Sequence, residues 1–251
     1  MAKIANSGLA LITPAIFHRT LFGQIPDDVL ASKVLHISRI TAVLLIIAYA
    51  IYVWFQMHTH HGIYDALFVA DEEQDADRHR DLKKDKLTFT ECLVALAISI
   101  ALVTLLSISL VDEISYIVDE RGISDTFMGL ILVPLVDKAA EHLTAIDEAW
   151  DNTMNLALAH VLGATIQTAL FNGPLVVIVA WGLDKGMDLN FEIFTIVVVI
   201  LSIIVVGNFL KDQKSNYLEG ALSVIVYIVI AVAAFYYPNV GLDRTEASAR
   251  R

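Results

Sequence analysis

Cysteine is almost absent. Cys92 is the single one in 251 residues, which excludes an intrachain disulfide and any metal centre built from several thiolates. It opens a long apolar run and reads as a small apolar residue. Charge is scarce as well: Asp, Glu, Lys and Arg make up 18% of the chain, and hydrophobic residues 57%. With a mean hydropathy of +0.65, this composition excludes intrinsic disorder and does not suit an ordinary soluble domain. Positive charge is the scarcer sign, 17 Lys and Arg against 28 Asp and Glu. Nucleic acid is excluded as a partner on that ground, because neutralising phosphates needs clustered Lys and Arg. A cleavable signal peptide is not read either. Pro14 interrupts the apolar patch within residues 1–18, and no small-residue cleavage site follows.

What is present is a set of long charge-free stretches. Residues 92–111, 152–183, 193–210 and 220–242 carry no Asp, Glu, Lys or Arg, and 40–57 is the apolar part of a fifth such stretch. A bilayer core takes about 20 predominantly apolar helical residues. The reading is an all-α polytopic membrane protein of about six transmembrane helices in contact with the lipid bilayer. Residues 1–39 form an N-terminal segment with a short apolar half-span, since 8–17 is too short to cross. Residues 40–57 are the first span, with Tyr49, Tyr52 and Trp54 placed like interfacial aromatics. Residues 58–91 are a charged loop containing the acidic run 71–77, and 238–251 is a polar tail. The acidic run reads as a solvated loop or short helix, with a cation-collecting or regulatory segment as the sharper alternative. Lys and Arg divide nearly evenly between the two sides, so the positive-inside rule returns no orientation.

Residues 126–150 are the most informative. Eleven largely apolar residues with Pro134 near their end lead into Asp137, Lys138, Glu141 and His142. Eleven helical residues rise about 16 Å, roughly half of a ~30 Å hydrocarbon core. A helix entering at Thr126 therefore carries this cluster to mid-bilayer, where ionisable groups are costly and point to function. The alternative is a short interfacial helix leaving the membrane at Asp137. Residues 152–183 are too long for one straight span, and Gly173–Pro174 offers a break or kink. Asn155, His160, Thr165, Gln167, Thr168 and Asn172 precede it, as polar residues do when they face other helices or a wet cavity. Asp212, Lys214 and Glu219 read as loop and helix-cap residues between the last two spans. His58, His60 and His61 read as a solvated helix end, with a metal site as the alternative.

Several short motifs occur in a fixed order: SRITA (38–42), YVWFQMHTH (52–60), the acidic run, GISDTFMGLILVP (122–134), AAEH (139–142), QTALF (167–171), Pro174, DQKSNYLEG (212–220) and FYYP (235–238). Their order and spacing resemble the second half of a calcium/cation–proton exchanger of the CAX family, as found in fungal and plant vacuoles. The resemblance implies two inverted repeats, each giving a bent helix to a mid-membrane cation site. Residues 92–237 then form the five-helix second repeat. It also implies that Glu141, in a segment similar to G-N-A-A-E-H, is the cation- and proton-binding carboxylate. Asp137, His142, Thr165 and Gln167 stand around it, with Glu141 and Asp137 as the metal-ligating carboxylates. The cargo so implied is Ca2+ or Mn2+ and H+ at a vacuolar membrane, with no cofactor. Ca2+ and Mn2+ take oxygen ligands, and burial favours the neutral form of a carboxyl. One Glu that holds either a proton or a cation couples the two fluxes.

This chain departs from the family pattern in ways that carry consequences. It holds one copy of the motif, so a second exchanger half or a homodimer is the expected partner. Asp137 and Lys138 replace the usual Gly-Asn. On a continuous helix Lys138 shares a face with Glu141, and a unit charge ~4 Å away is worth about 4 kcal/mol at an effective dielectric of ~20. Lys138 is therefore a site-modulating residue. Ala164-Thr165-Ile166-Gln167 replaces a hydroxyl-richer run, and Ile108 stands where the family commonly carries Glu. The alternative function is a transport-incompetent, exchanger-like structural or regulatory subunit. No enzymatic role is read: K-A-A-E-H (138–142) approaches the zinc motif H-x-x-E-H, but its first ligand would be a protonated Lys138.

Overall fold

The computed structural model describes residues 2–83, 86–211 and 216–239. Asp212, Lys214 and most of the polar tail lie outside the described residues. Every regular element is helical, and no β-strand occurs among the described residues. In chain order these are α1 (Ala2–Leu21), α2 (Asp27–Trp54), α3 (His61–Gln74), α4 (Arg78–Asp81), α5 (Phe89–Arg121), α6 (Asp125–Phe127), α7 (Val133–Asp137), α8 (Ala139–Trp150), α9 (Met154–Gln167), α10 (Gly173–Gly182), α11 (Ile193–Lys211) and α12 (Tyr217–Phe235). The chain divides into two compact units, Met1–Ala76 with Glu141–Ser223, and Asp77–Ala140 with Val224–Arg251.

Among the described residues, five helices are long and apolar enough to cross a membrane: Asp27–Thr59, Phe89–Val118, Met154–Gly182, Ile193–Lys211 and Tyr217–Phe235. The protein is thus an all-α, multi-pass membrane protein. The sixth segment expected from the sequence, 126–150, is divided instead among α6, a π-turn, α7 and α8. The apolar stretch 40–57 proves to be the later part of a longer helix, whose first turn carries Asp27 and Asp28. Acidic groups there complement the helix dipole. Large apolar residues are exposed all along α5, among them Leu93, Leu102 and Leu106. A helix apolar on every side and bare in the structure is suited to lipid rather than to water.

Two prolines share one backbone solution. Pro134 and Pro174 each stand at the second position of a helix that follows a five-residue π-turn, Met128–Leu132 and Thr168–Asn172. Proline cannot donate to the carbonyl four residues back, and its ring presses on that carbonyl. Widening the preceding turn relieves both problems. The amide of Val133 donates to Met128 O, and that of Gly173 to Thr168 O, five residues back in each case. The break expected at Gly173–Pro174 is therefore a widened turn within one continuous span.

In the first unit, α2 packs on α1 and α10. Its core gathers Ala42, Val177 and Leu189 in one cluster and Leu45, Ile166 and Leu170 in another, while Ile12 and Ala15 of α1 meet Ile196 of α11. Gly8 permits the close approach of α1 and α11, since a Cβ there would stand 2.7 Å from Ile203 Cδ1. Two buried polar groups fix the connections. Ser38 Oγ, fully buried, accepts from the Leu189 amide at 3.0 Å and pins the 183–192 connection to α2. Asp71 of α3 is 4% exposed, and its two oxygens accept from Asn155 Nδ2 (2.7 Å) and the Leu156 amide (2.8 Å). Thr153, at the start of α9, makes no side-chain cap, so Asp71 caps that helix from another element. The charged segment 58–91 is thus partly helical, and one of its carboxylates is structural rather than solvated.

In the second unit, α5 starts with a capping box between Thr88 and Glu91 and ends at Gly122, whose φ of +65° is the left-handed cap that glycine adopts without strain. Phe127 meets Phe235 edge to face at 5.3 Å. The Asn239 side chain accepts from the Asp125 amide at 2.8 Å and donates to Ile123 O at 3.4 Å.

Asp71→Ala should destabilise the first unit by about 0.5–2 kcal/mol, the usual worth of a helix cap. Amide exchange should rise in α3 and at Leu156 before it rises elsewhere; unchanged protection at Leu156 would show that the cap holds nothing. Ser38→Ala leaves the Leu189 amide buried without an acceptor. A loss of about 1–3 kcal/mol is expected, read as a lower thermal midpoint in detergent.

Candidate functional site

The stretch expected to carry the chemistry is the one where the helical path is most interrupted. After the π-turn at 128–132, α7 lasts five residues and ends at Lys138, whose φ and ψ of −95° and 8° leave the helical region. The next helix starts at once, and Glu141 lies in its first turn. The positive end of a helix dipole favours a carboxylate at that position. Glu141 is partly buried and His142 is exposed. Glu141 and His142 belong to the first unit, Asp137 and Lys138 to the second.

Within the second unit the Lys138 ammonium stands 3.6 Å from Asp137 Oδ2, with the Asp137 side chain 66% exposed. The lysine therefore balances the adjacent carboxylate.

Thr165 and Gln167 are both on α9 and both exposed. The Thr165 hydroxyl donates to Val161 O at 2.9 Å, which commits its proton and leaves its oxygen lone pairs as acceptors. Gln167 lines a cavity of about 550 Å³ within the first unit, together with Tyr49, Tyr52, Gln56, Tyr64 and Gly163. This cavity lies among α2, α3 and α9, and its walls offer hydroxyl and amide oxygens. Tyr49 also packs on Phe171, with ring centroids 5.2 Å apart. Tyr49 and Tyr52 thus line a cavity in addition to the interfacial placement expected from the sequence. The signal was available: 49, 52, 53 and 56 are one helical face, and Gln56 on it is polar.

Two further pairings were missed. Asp71 caps α9, as described above. Glu148, near the end of α8, meets His160 of α9, with Nδ1 3.3 Å from Oε1. Two of the three histidines at 58–61 pack on aromatic rings. His58 lies against Trp54 and His60 stacks on Phe55, at 4.2 and 3.8 Å between centroids. Among the described residues no group of three or more His, Cys, Asp or Glu is positioned to hold a metal ion.

Residues 92–236 match the model of a family described as sodium/calcium exchanger protein. The chain is 36% identical to a vacuolar calcium ion transporter of Schizosaccharomyces pombe, over 95% of this chain and 55% of that protein. It is 31% identical to a Ca(2+)/H(+) antiporter of Aphanothece halophytica, over 96% of this chain and 65% of that one. A vacuolar cation/proton exchanger of Arabidopsis thaliana is 33% identical, over 93% of this chain and 53% of its own length. The chain thus spans little more than half the length of most of these relatives. Among solved structures, native YfkE shares the fold, with a TM-score of 0.67 at 23% identity over 93% of this chain and 63% of that one. By a match that covers more than half of its residues, the chain belongs to the sodium/calcium exchanger protein family.

Proposed function

We propose that this chain contributes to Ca2+/H+ antiport, with Mn2+ as a second cargo, across a vacuolar membrane. The observation that carries the reading is the placement of Glu141. It opens α8 directly after an interrupted, proline-containing helix, within the residues that match the exchanger family. Glu141 is the carboxylate that holds a proton or a cation in turn. Asp137 is a second carboxylate for the cation, and the oxygens of Thr165 and Gln167 complete its polar surroundings with His142 beside them. Protons arriving from an acidic lumen displace the cation there, so the pH gradient drives metal into the lumen. One chain supplies one carboxylate-bearing repeat, so the working unit joins it to a second exchanger half or to a second copy of itself. The relatives named above support this reading, since their names describe calcium transport and calcium–proton or cation–proton exchange.

A second reading is favoured by one observation, the Lys138 ammonium at 3.6 Å from Asp137. A fixed cation beside a metal-ligating carboxylate opposes divalent binding. The chain is then an exchanger-like subunit that does not itself transport.

Purified protein in vesicles with an imposed pH gradient decides between the two. Gradient-driven Ca2+ uptake is expected, and Glu141→Gln should abolish it. Uptake that survives this substitution would remove Glu141 from the centre of the mechanism. Complete absence of uptake by the wild-type chain, alone and with a co-expressed second half, would favour the subunit reading. Lys138→Asn should raise Ca2+ affinity by about tenfold, or ~1.4 kcal/mol, in equilibrium binding; an unchanged affinity would mean that the ammonium does not act on the cation.

A further inference from the structure

Tyr52 is shared by two cavities of the first unit. One is the cavity beside Gln167, and the other has a volume of about 460 Å³. The second lies between α1 and α2, with Ser7 and Ala10 on one side, Leu45, Ala48 and Ile51 on the other, and Leu170 beside them. Small side chains on the two facing helices leave the space open. Its walls are apolar apart from the hydroxyls of Ser7 and Tyr52. The cavity beside Gln167 differs in carrying three phenol hydroxyls, of Tyr49, Tyr52 and Tyr64, and the carboxamides of Gln56 and Gln167. No Asp, Glu, Lys, Arg or His lines either cavity among the described residues.

The two cavities follow each other along the membrane span. On Asp27–Thr59 the hydroxyl-rich cavity takes Tyr49, Tyr52 and Gln56, close to the charged segment that starts at residue 58. The apolar cavity reaches Leu45, one turn or about 6 Å further into the span. The opposite wall keeps the same order. Met154–Gly182 begins at the Asp71 cap, beside the charged segment; Gly163 and Gln167 line the first cavity, and Leu170, further along, lines the second. A ligand that fits both is therefore polar towards the membrane boundary and apolar towards the interior, as a lipid is in its leaflet. Ile51 lines the apolar cavity and is 64% exposed, so that cavity can be entered from the bilayer.

The head of such a ligand carries no charge. A phosphate, carboxylate or ammonium would be buried here without a counter-charge. Phenol and carboxamide groups both donate and accept, which suits a hydroxyl. The body is single and compact, because one apolar cavity, within the usual range of about 300–1,000 Å³ for a small ligand, adjoins the hydroxyl-rich one. Two acyl chains would need two. A rigid ring system also gives up less conformational freedom on entry than a flexible chain does. We propose that a sterol binds here, with its hydroxyl among Tyr49, Tyr64 and Gln56 and its rings against Leu45, Ala48 and Leu170. Binding requires nothing of Glu141, so it stands apart from the antiport reading.

Photolabelling of the full chain in phosphatidylcholine nanodiscs, with a diazirine-bearing cholesterol as the probe and mass spectrometry of the labelled peptides, tests this. Label should fall on the stretch 45–56 of α2 and on the facing part of α1. Excess cholesterol should displace it, and 5-cholestene, which lacks the hydroxyl, should not, because a site that bonds a hydroxyl rejects the analogue without one. Ala48→Phe fills the apolar cavity and should lower saturable labelling by about tenfold or more. Tyr49→Phe combined with Tyr64→Phe keeps the ring shapes, removes two hydroxyls and should weaken cholesterol by about tenfold. This second variant decides the matter if Ala48→Phe does not fold. Labelling that excess cholesterol does not displace, or that 5-cholestene displaces equally well, overturns the site. Preferential displacement by diacylglycerol overturns the choice of a sterol. Wild-type labelling in the folded variants overturns the assigned residues. Absence of labelling overturns the proposal outright, as when a second copy of the chain fills the same space.

Discussion

A backbone amide or carbonyl facing hydrocarbon has no water to bond to, and this constraint organises the whole chain. It makes every crossing element a helix. It also explains where the helices are irregular. Pro134 and Pro174 each remove a donor from an apolar stretch, and in both places the turn before the proline widens so that the next amide reaches five residues back. Where a connection leaves an amide without a partner, a buried side chain from elsewhere serves it. Ser38 does so for Leu189, and Asp71 for the first turn of α9.

The same constraint separates three kinds of acidic residue. Asp71 is spent on structure, since both of its oxygens accept from α9. Asp137 is exposed and balanced by its neighbour Lys138. Glu141 and Glu148 are both partly buried on α8; the proposed exchange is built on Glu141, while Glu148 pairs with His160 of α9.

Much of the fold could be read before the structure. The charge-free runs locate five spans because hydrocarbon tolerates little else. The interruption around Asp137 is foreshadowed by Pro134 and by the abrupt appearance of charge. The sequence reading went astray wherever a partner is distant in the chain. Asp71 looks solvated among its acidic neighbours, because nothing local reveals that α9 lacks a cap of its own. The Glu148–His160 pair spans a helix junction, and no motif spacing marks it.

By itself, the sequence determined the all-helical, membrane-spanning character of this protein, and the order of its motifs pointed to the exchanger family. Hydrophobic length and local residue order carry those conclusions, and both are properties of contiguous chain. Only the tertiary structure decided which carboxylate is a cap, where the cavity beside Gln167 opens, and which histidine meets which glutamate. The cap and the pair depend on side chains brought together across different helices, 2.7 Å apart for Asp71 and Asn155 and 3.3 Å for Glu148 and His160. Packing sets such distances, and the order of residues along the chain does not encode them locally.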